Sequence, residues 1–95
     1  MDTEKLLEIG ARGIHLLFDT PEIEAAFEQD ADSLRNELVG RSAEVGSAID
    51  ALLRLDDVNQ GRRFIDHLDD EIRHVLVLIY FDLLDTHVRR AATVH

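Results

Sequence analysis

Ten consecutive residues near the C-terminal end, Val75 to Leu84, are apolar at every position but Asp82. A surface helix needs a polar stripe, and this segment has almost none, so as a helix it has to be covered on most sides. A chain of 95 residues is short for that task, since a domain of this size hides only about 60–65% of the surface its unfolded form exposes. The combination predicts a helical bundle completed by a second copy of the chain, with Val75, Val77, Leu78, Tyr80, Phe81 and Leu84 forming the contact between copies. The segment is also rich in β-branched and aromatic residues, as strands are. No other run resembles a strand that could pair with it, and the helical phase continues through Asp82, Leu83 and Leu84, so helix is the expectation.

The rest of the chain reads as helix too. Leu6, Ile9, Ile14, Leu17 and Phe18 recur at helical spacing behind a possible cap at Thr3 and predict a helix over 3–18. Gly10 and Gly13 lie on that stripe, where they suit close approach of another backbone; the alternative is a break at Gly10-Ala11-Arg12-Gly13. Thr20-Pro21-Glu22 is a helix start. From it Ile23, Phe27, Ala31, Leu34 and Leu38 mark one face as far as residue 39, and Gly40 is a stop. Ser42 can cap a continuation over 42–55, which leaves either one bent helix or two. Asp56 to Gly61 is turn-rich, with Asp57 or Asn59 available as a cap. Beyond it Phe64, Ile65, Leu68, Ile72, Val75, Ile79 and Leu83 keep helical period and predict one helix over 59–91. The expected fold is therefore all-α and a single domain: an antiparallel helical hairpin with an additional N-terminal helix, forming a bundle by dimerisation.

Charge narrows the function. The net charge is −10, and residues 1–40 carry ten acids against three basic residues. Phosphate binding depends on clustered Lys and Arg, so direct nucleic-acid binding is disfavoured. The N-terminal sequence lacks the pattern of a secretory signal and no apolar run reaches the roughly 20 residues that span a bilayer, so a cytoplasmic protein is expected. With no cysteine there is no disulfide, thiolate metal site or cysteine nucleophile. No Gly-rich phosphate loop, dinucleotide fingerprint or nucleophile motif is present.

One constellation is compatible with metal. His67, Glu71 and His74 fall at i, i+4 and i+7, on one face of a continuous helix. Imidazole and carboxylate suit Fe, Mn or Zn. If the hairpin turns near residues 57–60, Glu44 faces His74 and supplies a further carboxylate. Glu71-Ile72-Arg73-His74 resembles the Glu-x-x-His element of ferritin-like di-iron carboxylate proteins. That resemblance implies a metal held inside a four-helix bundle and completed by carboxylates from facing helices. The competing account is a solvated, salt-bridged face.

Three functions compete on these grounds. The first is a small acidic helical interaction module that self-associates through its C-terminal helix and binds a protein partner. The second is a ferritin-like half-bundle that binds metal on dimerisation, through Glu44, His67, Glu71 and His74. The third is an acidic, nucleic-acid-mimicking inhibitor of a basic protein.

Overall fold

A computed structural model describes residues 2–93 and, within them, every side chain but those at 31, 37 and 91–93. The described residues form six helices and no strand: α1 (Thr3–Gly10), α2 (Thr20–Glu28), α3 (Ala31–Gly40), α4 (Ser42–Leu53), α5 (Val58–Asp66) and α6 (Asp70–Thr93). The all-α expectation holds, but the helices are shorter than their periodicities suggested.

The helix expected over 3–18 stops at Gly10. Its cap is Asp2 rather than Thr3, with the Asp2 carboxylate accepting from the Lys5 N–H at 3.2 Å. Gly13 takes φ +89°, a backbone state that ends a helix and that glycine adopts without strain. The chain then turns back, and residues 14–18 run non-helically, delivering His15, Leu17 and Phe18 onto α6.

Residues 21–55 form three helices instead of one or two. Pro21 stands in the first turn of α2, as expected, and Gly40 ends α3. The additional break at Gln29 and Asp30 comes from local capping. The Asp30 carboxylate accepts from both the backbone N–H and the hydroxyl of Ser33, at 3.3 and 3.0 Å, which starts α3 afresh.

The single helix expected over 59–91 is divided at His67–Asp69. Asp57 caps α5 by accepting from the Gln60 N–H at 2.9 Å. Asp69 caps α6 by accepting from the Ile72 N–H at 3.0 Å. The acidic triplet Asp69-Asp70-Glu71 is thus a helix start, where the helix dipole favours anions. At about 1.5 Å per residue the 24 residues of α6 run about 36 Å, against the 50 Å of an unbroken helix.

α6 is the centre of the fold. α1, α2, α3 and α4 all pack on it, α2 most extensively, and α3 also packs on α4. Ile65 of α5 and Val77 of α6 are the largest fully buried side chains, and Ile72, Val75, Leu76, Tyr80 and Leu84 are buried with them. Four short helices therefore cover from within one chain much of the apolar run that suggested a second chain. No helix among the described residues is long and apolar enough to cross a membrane.

Candidate functional site

The break before α6 redirects the residues expected to bind metal. Glu44 and Glu71 do come together, but the group between them is a guanidinium. Arg41, at the α3–α4 junction, donates to Glu44 at 2.5 Å, to Asp69 at 2.7 Å and to Glu71 at 3.3 Å. The hydrogen bonds it donates to Asp69 and Glu44 hold the Arg41 guanidinium above its ordinary pKa, and the same Arg41 contact pulls the Asp69 carboxyl below the usual range. Three carboxylates and one Arg make a surface network that ties the start of α4 to the start of α6.

The two histidines lie elsewhere. His67 is exposed at the C-terminal end of α5 and donates from Nδ1 to the Arg63 carbonyl at 2.6 Å. His74 is half-buried on α6 and acts on Glu22 of α2, favouring its ionised form. Among the described residues no three His, Cys, Asp or Glu side chains are grouped to hold a metal ion. Arg41 is the residue that sequence reasoning missed, and its place one step after the helix-stopping Gly40 gave only a faint signal.

A second polar contact lies deeper. Glu22 of α2 and Arg73 of α6 face each other with Oε1 and Nε 3.8 Å apart, and both atoms are buried without a hydrogen-bond partner. Burial pushes the Glu22 carboxyl up; Arg73 opposes this, and Asp66 and Asp19 add to it. Arg73 is also engaged by Asp70, its neighbour on α6.

The residues expected at a contact between copies divide into two groups. Val75, Val77, Tyr80 and Leu84 are buried in the chain's own core, whereas Leu78 and Phe81 are only partly covered. Phe81 lies in an aromatic cluster with His15 at 4.9 Å, Tyr80 at 5.1 Å and Phe27 at 5.3 Å between ring centroids. Phe27, on α2, is 56% exposed. Tyr80 is anchored by a 2.8 Å hydrogen bond between its hydroxyl and Nδ1 of His15.

Two apolar depressions flank α6. One, of about 330 Å³, lies against α3 and is lined by Leu34, Leu38, Val75, Leu78 and Ile79, with Arg35 and Asp82. The other, of about 80 Å³, lies against α1 and α4 and is walled almost wholly by apolar atoms. Of the serines, Ser33 is engaged in capping α3, and Ser42 and Ser47 are exposed on α4.

No protein-family model, curated protein or solved structure matches the chain.

Proposed function

We propose that the protein is a non-enzymatic interaction module that self-associates through its C-terminal helix and engages a protein partner. The observation that carries this reading is the half-open aromatic pair of Phe27 and Phe81, which folding leaves at the surface. One turn back along α6, Leu78 borders the groove against α3. An apolar strip of this kind with charged residues at its edge is the ordinary composition of a contact surface.

Charge at that edge favours a second copy as one occupant. Arg35 and Asp82 border the same groove, and neither makes an ion pair within the chain among the described residues. A twofold-related copy offers each of them the opposite charge, as an isologous contact requires. Within this reading Leu78 and Phe81 make the contact, while Val75, Val77, Tyr80 and Leu84 serve the core.

Sedimentation velocity across the micromolar range tests this. A dimer is expected for the wild-type chain. Phe27→Gln combined with Leu78→Gln should raise its dissociation constant at least ten-fold, about 1.4 kcal/mol, with helical content by circular dichroism unchanged. A monomer at every concentration overturns the proposal.

A further inference from the structure

We infer that α2 is a proton-sensitive strap: ionisation of Glu22 favours its release from α6, and release parts Phe27 from Phe81. The strap follows from packing within one chain. Its consequence, control of the Phe27–Phe81 surface, rests on the self-association reading above.

α2 lies close along α6 but has little apolar side chain to hold it there. Of its nine residues only Ala26 is buried; Ile23 is partly covered against the core and Phe27 is mostly exposed. α4, by contrast, buries Val45, Ala48 and Leu52. A small side chain lets two backbones approach while withdrawing little apolar surface from water. Neither end of α2 continues as helix, since residues 14–18 precede it non-helically and Gln29 follows it with extended backbone. An element with few buried apolar groups, set between irregular segments, opens locally at lower cost than the core.

The polar contact between the two helices is incomplete as well. Glu22 Oε1 and Arg73 Nε stand 3.8 Å apart, beyond hydrogen-bond distance, and both are buried without a partner. Groups left in that condition favour a state that returns them to water. Burial acts most strongly against the Glu22 carboxylate; Arg73 and His74 of α6 support it, while Asp66 of α5 and Asp19 at the cap of α2 repel it. Arg73 is shared with Asp70, and Asp19 with Arg62. The balance holds Glu22 above its ordinary range while α2 is docked. On release the carboxyl regains water and an ordinary value of about 4.5. Docking is therefore favoured at acid pH, and release gains as pH rises from that value through the raised one.

Hydrogen exchange of the full chain, read as protection factors for each helix between about pH 4 and pH 7, tests the strap. Protection in α2 should fall at least about two-fold relative to α6 as pH rises. Glu22→Gln should abolish that fall, and Arg73→Gln, which strips the counter-charge, should enlarge it. A ratio that ignores pH in the wild-type chain, an undiminished fall in Glu22→Gln, or a smaller fall in Arg73→Gln overturns the inference. Sedimentation of the same samples reads the consequence and keeps the two proposals apart. The dissociation constant of the dimer should rise with pH more in the wild-type chain than in Glu22→Gln, and an equal rise overturns control of the aromatic surface. A chain that stays monomeric while α2 loses protection removes only self-association and the control that depends on it. A dimer whose α2 protection ignores pH removes only the strap.

Discussion

The hydroxyl of Tyr80 occupies the space in which Gly10 would carry a side chain: a Cβ on Gly10 would stand 2.4 Å from that oxygen and 3.3 Å from a methyl of Leu84. The glycine expected to admit a neighbouring backbone instead admits a tyrosine side chain, which the hydrogen bond to His15 holds in place. Gly10→Ala should therefore destabilise the protein by about 1–3 kcal/mol through overpacking, despite the better helix propensity of Ala. Removing the hydroxyl should relieve the clash, so Gly10→Ala with Tyr80→Phe is expected to lose less than the two single changes added together. Urea unfolding of the four proteins closes that cycle.

Gly46 provides the opposite case. It lies in the interior of α4, and a Cβ there would meet nothing within 4 Å. Gly46→Ala should stabilise by about 0.5–1 kcal/mol through lower backbone entropy in the unfolded chain and better helix propensity. A raised urea midpoint with unchanged slope is the expected result.

Ile65 is fully buried and joins α5 to the core. Ile65→Ala should cost about 2–5 kcal/mol, part of it for the cavity left behind. In a domain of this size that approaches the whole of its stability. A loss below 1 kcal/mol by the same measurement would contradict this burial.

Two carboxylates should give opposite pH signatures. Burial raises the Glu22 carboxyl, so the folded chain holds that proton more tightly than the unfolded one. This favours folding at acid pH and is lost as pH rises from about 4.5 through the raised value. Glu22→Gln removes the titration. Its stability relative to wild type should fall as pH is lowered through that window, and be level above it. Asp69 runs the other way. Its depressed pKa makes a stabilising contribution present above about 3.8 and lost as pH falls through the folded value, so Asp69→Asn should flatten the acid limb of the stability curve. Thermal melts of the three proteins across pH 3–7 read both effects.

Much of the fold was legible because local chemistry and periodicity agreed. Pro21, Gly40 and Asp57 mark boundaries by their own backbone and capping preferences, and the structure uses all three. The division at His67–Asp69 was hidden because Ile65, Leu68, Ile72 and Val75 stay in phase across it, so the apolar stripe reads as one helix. The decisive signal was the acidic triplet ahead of a long apolar run, which resembles a helix start as much as a ligand set. Glu44 was expected opposite His74 and instead shares Arg41 with Glu71, one turn earlier. Arg41 itself was not legible, because a surface Arg carries no period. The apolar run was read as needing cover from a second chain; much of it is buried by the chain's own shorter helices, which a helix count by period alone did not anticipate.

The Arg41 network joins two helix junctions whose residues are 28 and 30 positions apart, through side chains that remain partly in water. Contacts this distant in sequence and this exposed are expected to close after the apolar core has assembled. Arg41 then behaves as a latch on the finished structure. Its removal should leave the rate of folding nearly unchanged and quicken unfolding, so that the network sets how long a folded molecule lasts rather than how soon it forms.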